Sequence, residues 1–410
     1  MGYKSLLMMF LRGATLGSKF ILVMLLAKYA SFETLANYSL LTITISFLLY
    51  LLGFDFYTFS SREIIQQGFS KSGQLLYNQF LFYFLMYLLA VPIVFGINYF
   101  HILNVGLLFY LVLITEHLAQ ECMRIIVINN KPFKANFQLF LRSSFWIYIY
   151  ILYSYYSGSY DLDKLLLFWF ISNVFAILYS LSEFQIVDKN NIFIIKTKWI
   201  AYGLKIAIPL LITTLMLRGV YFSDRYFLKY TSTTEELAVY SFYSNMANAL
   251  IAFIDASVIM VFYPKIIEAF KKGNKREYND TLKKFKKSLL KIGVFIFSVL
   301  SLIIPFICFL LGKNEYLHLI VIFYLLLISS FIYSYGLIYH YELYARKQDK
   351  KLLVCTGFCF ISGLSLQYIL GIYLGGVGIA IAMLTVSCLL MITKSRCIKL
   401  IKQREDSITY

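Results

Sequence analysis

Apolar stretches long enough to cross a lipid bilayer occupy most of this 410-residue chain. A helix needs about 20 residues to span the hydrocarbon core of a membrane. The composition excludes a soluble protein, because 60% of residues are hydrophobic, only 14% are charged and the mean hydropathy is +0.72. We therefore predict an all-α polytopic membrane protein with about 12 transmembrane helices. The predicted spans are 6–28, 36–59, 75–99, 104–128, 136–157, 164–182, 200–222, 237–262, 288–311, 317–340, 351–374 and 376–394.

The distribution of cations predicts the orientation, because Lys and Arg are retained on the cytoplasmic side of membranes. With the N-terminus inside, 30 of the 38 Lys and Arg residues fall in cytoplasmic segments. The outside loops contain Lys28, Lys164, Arg225, Lys229 and Lys313. We expect both termini to be cytoplasmic. The strongly basic segment 265–291 is interpreted as a loop that meets anionic lipid headgroups rather than nucleic acid, and its 264–287 portion is predicted to form an amphipathic surface helix.

A short repeat predicts how the helices are grouped. The pattern Leu-Ala-x-Tyr-Ser begins at Leu35, at the start of the second span, and again at Leu237, six spans later. Both copies fall in outside loops by the charge count, so the two halves run in the same direction. We predict a six-helix N-terminal lobe at 1–188, a cytoplasmic linker at 189–199, a six-helix C-terminal lobe at 200–394 and a cytoplasmic tail at 395–410.

Cations inside the first span indicate an interior path. A cation in the hydrocarbon core costs at least about 2.5–3.5 kcal/mol on insertion scales, so such residues usually face an interior rather than lipid. Arg12 and Lys19 lie on one face of the first helix. Gly13 and Gly17 are expected to let a neighbouring helix approach closely. Three further cations lie nearer to the membrane boundaries and could also snorkel to the headgroups, namely Arg142, Arg218 and Arg225.

Carboxylates occur in three spans. Glu116 lies near the middle of the fourth span, where a buried ion pair with a cation of another helix and a proton relay are both open interpretations. Asp55 and Asp255 follow the two copies of the repeat, toward the end of the second and the eighth spans. All three acids are candidate sites for a coupling proton or cation.

No signature of catalysis or cofactor binding accompanies these charges. The sequence contains no Gly-rich phosphate loop, no nucleophile elbow and no paired-His motif. The six cysteines lie in spans or on the predicted cytoplasmic side, where disulfides are not expected. Cys355 and Cys359 share a helix face, but no nearby His or carboxylate completes a metal-ligand set, so they are interpreted as buried thiols. We expect no cofactor, no metal and a transporter rather than an enzyme.

Several segments resemble one known family. The segments 26–39 and 53–63 look like the start of polysaccharide biosynthesis (Wzx-type) flippases, the second reading Gly-Phe-Asp-Phe-Tyr-Thr-Phe-Ser-Ser-Arg-Glu. The segment 209–218, together with Ser-Asp-Arg-Tyr-Phe-Leu at 223–228, is similar to a region around their seventh helix. The run Gly-Gly-Val-Gly-Ile-Ala-Ile-Ala at 375–382 resembles their entry to the twelfth. This family belongs to the multidrug/oligosaccharidyl-lipid/polysaccharide (MOP) exporter superfamily, with twelve helices in two bundles.

The resemblance implies a substrate and a mechanism. The substrate is a short oligosaccharide linked to undecaprenyl diphosphate, carried across the bacterial inner membrane for O-antigen, capsule or other exopolysaccharide synthesis, by alternating access as two lobes rock. A polysaccharide polymerase and a chain-length regulator are the implied protein partners. A diphosphate crossing a medium of low dielectric constant needs cationic partners. The candidate contacts are Arg12, Lys19, Arg142, Arg218 and Arg225.

Two other functions compete with this interpretation. A multidrug and toxin extrusion antiporter has the same two-lobe plan but exports amphipathic cations, so its lumen should be rich in acids. Arg12 and Lys19 favour an anionic substrate instead. An integral-membrane glycosyltransferase or oligosaccharide polymerase is expected to carry a substantial outside loop, whereas the predicted outside connections have about 15 residues or fewer.

Overall fold

The computed structural model describes residues 3–100, 102–103, 105–188, 192–273 and 275–408, and within these ranges the chain is almost wholly helical and has no strand. Within the described residues, helix covers most of each predicted span, which confirms the all-α polytopic membrane fold. The first eight α-helices are α1 Tyr3–Tyr29, α2 Phe32–Gly53, α3 Tyr57–Gln67, α4 Gly73–Tyr99, α5 Leu107–Ile128, α6 Pro132–Phe140, α7 Trp146–Ser157 and α8 Leu162–Ser180. The remaining ones are α9 Thr197–Thr231, α10 Thr234–Ile254, α11 Met260–Lys271, α12 Lys275–Leu311, α13 Asn314–His318, α14 Ile320–Ala345 and α15 Asp349–Ile408.

Nine helices of the described residues are long and apolar enough to cross a membrane, and the difference from twelve has three local causes. One is that α15 contains two predicted spans and bends between them at Gly375. Another is that α5 carries Glu116, Glu121 and Arg124, which make it too charged to qualify by composition. The last is that the fifth span, which contains Arg142 and many Tyr and Ser residues, is too polar to qualify by composition.

The bend in α15 requires glycine. Gly375 has φ 54° and ψ −135°, which side chains of L-residues rarely allow. A Cβ atom at this position would also lie 2.7 Å from Oε2 of Glu236. The other oxygen of this carboxylate accepts a hydrogen bond from the Gly376 N–H at 2.8 Å. The acid at the start of α10 therefore anchors the start of the second half of α15.

Contacts between α-carbons divide the chain into two compact units, Met1–Leu215 and Met216–Tyr410. The division falls inside α9. A Cβ atom at Gly203 would clash with phenylalanine rings of the first unit, and one at Gly219 would clash with a phenylalanine of the second. The two ends of α9 therefore pack into different units.

The lobe boundaries derived from the sequence stay a prediction. The polar segment 189–199 that was assigned as the linker precedes the division between the units. Residues 189–191 of this segment lie outside the described residues, and so do residues 409–410 of the predicted tail at 395–410. The remainder of the tail continues α15 as helix to Ile408.

The two copies of the sequence repeat begin their helices in the same way. Ser31 caps α2 by accepting a hydrogen bond from the Thr34 N–H at 3.1 Å. Thr233 caps α10 by accepting one from the Glu236 N–H at 3.2 Å. Such a cap satisfies an otherwise unpaired backbone N–H and stabilises a helix by about 1 kcal/mol. Each cap lies four residues before the leucine of the repeat, so the repeat in sequence corresponds to a repeated helix start.

Both candidate aspartates lie where a helix loses α-helical geometry. α2 ends at Gly53, and the chain then passes through Phe54 and Asp55 with φ angles of 53° and 50°. α10 is followed by the π-helical turn Asp255–Ile259. Irregular backbone at membrane depth is tolerated where it is buried in protein or lines a water-filled cavity, and π-helical turns often occur at functional sites. The two acids therefore occupy corresponding irregular positions after the repeated helix starts.

The basic segment forms two helices, not the single surface helix that the sequence predicts. α11 ends at Lys271, and α12 begins at Lys275 and continues into the next span. The apolar positions pack inward, because Ile266 and Phe285 are buried and the rings of Phe262 and Phe285 stack 5.6 Å apart. The apolar face that was expected to enter lipid is instead used inside the protein.

Candidate intramembrane charge sites

A buried ion pair joins α5 to the fifth span within the first unit. Arg142 Nη1 lies 3.5 Å from Glu116 Oε1. The Trp169 indole N–H of α8 donates a hydrogen bond to Glu116 Oε2 at 2.9 Å, and the Trp169 ring stacks on Trp146 with centroids 5.0 Å apart. Glu116 and Arg142 are both buried. The carboxylate is thus held in place beside a guanidinium inside the helix bundle.

Arg142 is incompletely paired. Among the described residues, no acceptor forms a hydrogen bond with its buried Nε and Nη1 atoms. A buried donor without a partner costs about 1–3 kcal/mol, so native proteins rarely keep one without a reason. Arg142 also lies in the π-helical turn Leu141–Phe145. Its guanidinium therefore retains donors that an anionic ligand could use.

One face of α1 carries two cations, and the second of them, Lys19, adjoins this pair. Arg12 Nε donates a hydrogen bond to Asn136 Oδ1 at 2.7 Å. Lys19 lies within electrostatic range of both Glu116 and Arg142. The side chains of Arg12 and Lys19 are exposed, so an incoming anion can reach them. We call Arg12, Lys19, Glu116 and Arg142 the N-unit cluster. It contains three cations and one carboxylate and extends over roughly 10 Å along α1.

Hydrogen bonding to backbone holds α1 against the fifth span. The Tyr148 hydroxyl donates to the Ala14 carbonyl at 3.1 Å. The close helix approach predicted at Gly13 and Gly17 is wrong, because no heavy atom of the described residues lies within 4 Å of the position that a Cβ would occupy. Polar contacts, rather than small residues, therefore position the cations of α1.

Glu121 forms a second, separate network in α5 and is fully buried. Its carboxylate accepts hydrogen bonds from Gln79 at 3.1 Å, from Tyr83 at 2.9 Å and from the Arg124 guanidinium. Arg124 also lies over the Tyr57 ring, 3.4 Å from its centroid. This carboxylate is matched by one cation and several hydrogen bonds, so it has the features of a structural ion pair.

His117 and Asp55 lie beside this second network. The His117 Nδ1 atom is 2.8 Å from the Tyr87 hydroxyl, and its Nε2 atom is 3.8 Å from Glu121. Asp55 is buried and lies within electrostatic range of Tyr57. The sequence indicates that His117 and Glu121 share a helix face, but it does not show the hydrogen-bond partners that α4 supplies to both of them. For that reason sequence reasoning did not select Glu121 as a candidate.

In the second unit, two of the predicted site residues come together. Arg218 of α9 and Asp255 of the π-helical turn lie within electrostatic range of each other, and both side chains are exposed. Tyr341 of α14 also lies within electrostatic range of Asp255. The structure therefore pairs a candidate substrate cation with a candidate coupling acid.

Arg225 lies in a different kind of environment. Its Nη1 atom is 3.3 Å from Asp224 Oδ1, and its Nη2 atom donates to the Ser244 hydroxyl at 3.0 Å. Asp224 also accepts a hydrogen bond from the Tyr240 hydroxyl at 2.9 Å. All four residues are buried, and we call them the C-unit network. One cation is matched by one carboxylate, so this placement favours a structural role for Arg225.

The predicted site residues thus occupy four different environments. They are the N-unit cluster of Arg12, Lys19, Glu116 and Arg142, the pair of Arg218 with Asp255, the C-unit network with Arg225, and Asp55 beside the Glu121 network. In the part of the chain that the structure describes, no three His, Cys, Asp or Glu side chains come together as metal ligands would.

Solved structures of transporters share this fold. A multidrug resistance MATE family transporter of the MOP superfamily, in an inward-facing conformation, matches 95% of this chain and 96% of its own with a TM-score of 0.77 and 13% identity. The lipid II flippase MurJ, in an inward closed conformation, matches 96% of this chain and 87% of its own with a TM-score of 0.75 and 16% identity. MATE in complex with MaL6 matches 96% and 95%, with a TM-score of 0.64 and 14% identity. No family model and no curated protein matches the chain in sequence. The chain therefore has the fold of MATE and MurJ.

Proposed function

We propose that this protein is a flippase, not an enzyme, and that its substrate is an oligosaccharide linked to undecaprenyl diphosphate. It moves this lipid from the cytoplasmic to the outer leaflet of a bacterial inner membrane by alternating access. The fold supports the proposal, because it is shared with a protein described as a lipid II flippase. The resemblance in sequence to Wzx-type flippases supports an O-antigen, capsule or related glycan, with a polymerase and a chain-length regulator as protein partners.

The observation that carries the proposal is the excess of cations in the N-unit cluster. Three cations against one carboxylate leave a formal charge of +2, and of these groups the Glu116–Arg142 pair is buried whereas the two cations of α1 are exposed. A diphosphate diester carries about two negative charges, so it neutralises this excess. Two unit charges 4 Å apart interact by about 4 kcal/mol at an effective dielectric constant of 20. Arg142 supplies guanidinium N–H groups that donate no hydrogen bond to the described residues, and the exposed Arg12 and Lys19 make the first contacts.

Multidrug export is the second candidate function, because a MATE transporter shares the fold with a TM-score of 0.77. An amphipathic cation, however, would meet net repulsion at the N-unit cluster. The pair of Arg218 and Asp255 is more nearly balanced in charge and could accept either a phosphate or a coupling cation. We propose that a coupling ion binds at Glu116, Asp55 or Asp255. Glu116 is surrounded by cations, and the two aspartates lie where the helix backbone is irregular.

Proteoliposomes that contain polyprenyl-diphosphate-linked oligosaccharide in both leaflets provide the direct test. A glycosidase added outside removes the sugar from the outer leaflet, and further digestion requires transport. We expect Arg12→Gln and Lys19→Gln each to slow the transport-dependent phase by about ten- to hundredfold, because each removes a charged hydrogen-bond donor worth about 1.5–3 kcal/mol.

Lys28→Gln is the matched control. Lys28 lies on the same helix and is exposed, and its Nζ atom lies 5.5 Å from the ring centroid of its neighbour Tyr29. This variant should transport at the wild-type rate. Wild-type transport by both the Arg12 and Lys19 variants would reject the proposed site. Export of fluorescent organic cations without movement of the lipid would favour the multidrug function instead.

A further inference from the structure

Two thiols lie in contact at one end of the bent helix α15. The Sγ atoms of Cys355 and Cys397 are 3.6 Å apart, although 42 residues separate them in sequence. The bend at Gly375 brings these two segments together. Cys355 is buried, whereas Cys397 is partly exposed. The sequence pattern had singled out Cys355 with Cys359 instead, because these residues share a helix face.

A buried lysine lies beside these thiols. Lys394 is 3% exposed, and its Nζ atom lies 3.4 Å from Nδ1 of His340. It is also within electrostatic range of the thiols of Cys355 and Cys359. A neighbouring ammonium group favours the thiolate over the thiol, and the thiolate is the nucleophile in thiol chemistry. Burial disfavours the thiolate more strongly, so the Lys394 charge offsets the effect of burial only in part.

We propose that Cys355 and Cys397 are a redox-modifiable dithiol that hydrogen peroxide converts to a disulfide. The partly exposed Cys397 thiolate attacks one peroxide oxygen, the O–O bond breaks, and hydroxide leaves to give sulfenic acid at Cys397. The Cys355 thiolate then attacks the Cys397 sulfur, the S–S bond forms and a second hydroxide leaves. With the two protons of the original thiols, the products are one disulfide and two water molecules. Two thiols lose two electrons, and the peroxide gains them.

The disulfide covalently ties the start of α15 to its last turns. Next to Cys397, an apolar cluster already packs these segments against the end of α14 through Leu343, Leu352, Ile398 and Ile401. In a reducing cytosol such a bond persists only while oxidant is present, because a dithiol reductant restores both thiols. Oxidation therefore makes the helix end reversibly rigid. This dithiol chemistry is independent of the transported substrate.

Peptide mapping of the full-length protein tests the pairing. The purified protein is exposed to a small excess of hydrogen peroxide, remaining thiols are alkylated, and the chain is digested with trypsin. Cleavage after Lys351, Lys394, Arg396 and Lys399 places Cys397 in a three-residue peptide and Cys355 in 352–394. We expect these two peptides to be joined, to lack two hydrogens, and to separate on reduction. Fragmentation identifies which cysteine of 352–394 is linked.

Two variants control the result. Cys355→Ser should eliminate the linked peptides, whereas Cys388→Ser, which alters a partly exposed cysteine of the same tryptic peptide, should leave them unchanged. A link through Cys359 or Cys388, or oxidation of Cys397 to sulfinic acid without any link, would overturn the proposal. Fragment ions from the wild-type protein decide the pairing even where Cys355→Ser fails to fold.

Discussion

The N-unit cluster and the C-unit network both contain a buried arginine, yet the surroundings of that arginine differ. In the C-unit network, Arg225 contacts one carboxylate, Asp224, and the Ser244 hydroxyl, and the group is buried. In the N-unit cluster, Glu116 is the single carboxylate for three cations, and two of those cations are exposed. A charge inside a transmembrane helix therefore does not by itself indicate a binding site. A binding site has an excess of one sign of charge and is open to a ligand, whereas a structural pair is balanced in charge and buried.

Removing the acid of the C-unit network should have the largest effect on stability. Asp224→Asn leaves the Arg225 guanidinium buried without a counter-charge, and breaking a buried pair in this way costs about 3–5 kcal/mol. We expect little folded protein, or a strongly lowered midpoint of thermal unfolding in detergent. Fluorescence-monitored unfolding and size-exclusion chromatography measure the loss.

A double variant sharpens this prediction. Asp224→Leu combined with Arg225→Met removes both charges, and well-packed apolar residues often replace a buried pair at no net cost. The double variant should recover most of the lost stability and retain transport. Recovered folding without transport would show that Arg225 contacts substrate, and it would break the contrast between the two regions.

Removing the acid of the N-unit cluster should have a smaller effect, which an anion can reverse. Glu116→Gln leaves three cations without a carboxylate, but Gln still accepts the Trp169 N–H, so we expect a loss of about 3 kcal/mol. Inorganic pyrophosphate should then raise the unfolding temperature more in Glu116→Gln than in the wild-type protein, because a ligand bound only by the folded state stabilises it. An Asp224→Asn protein should gain nothing from pyrophosphate.

The same variant tests ion coupling. If Glu116 carries the coupling proton, transport by Glu116→Gln should no longer respond to an imposed pH gradient across proteoliposomes. Aspartate variants at the two helix irregularities, Asp55→Asn and Asp255→Asn, are measured alongside it. A gradient response that is unchanged in Glu116→Gln would exclude this residue as the coupling site and leave the two aspartates.

The helices could be predicted from the sequence, because apolar composition over about 20 residues is a local property. The break at Gly375 was anticipated by its glycine-rich sequence, and the repeat correctly located two similar helix starts. The π-helical turns Leu141–Phe145 and Asp255–Ile259 were not anticipated. A π-helical turn contains one extra residue per turn, and neither Leu-Arg-Ser-Ser-Phe nor Asp-Ala-Ser-Val-Ile marks that insertion by its sequence.

The candidate sites could be predicted only as a set of charges. The sequence shows Asp224 beside Arg225, but it could not show that Arg225 donates to Ser244 of α10 or that Arg142 lies 3.5 Å from Glu116 of α5. Glu121 was passed over for the same reason, because its hydrogen-bond donors Gln79 and Tyr83 belong to α4. Pairing depends on tertiary contacts, whereas the presence of a charge does not.

Neutralising the incompletely paired arginine should affect transport more than stability. Arg142→Gln breaks the ion pair with Glu116, but it also removes a buried Nε–H that lacks an acceptor, and Lys19 remains near the carboxylate, so we expect a loss of about 1–2 kcal/mol. Transport of the lipid diphosphate should fall by about tenfold or more, because a charged contact is lost. Unfolding midpoints and proteoliposome transport are measured on the same preparation. A stability loss as large as that of Asp224→Asn would contradict the contrast between the N-unit cluster and the C-unit network.

The smallest effect is expected where a hydrogen bond to an exposed cation is lost. Asn136→Ala removes the acceptor of Arg12 Nε, but this guanidinium is exposed, so water can replace the amide and the cost should be below about 0.5 kcal/mol. Ser244→Ala is the matched variant in the C-unit network, where Arg225 Nη2 is left buried, and its cost should be about 1.5–3 kcal/mol. Equal losses in the two variants would mean that Arg12 is held as firmly as Arg225. The exposure of Arg12 would then not explain how its guanidinium could leave Asn136 and bind a phosphate instead.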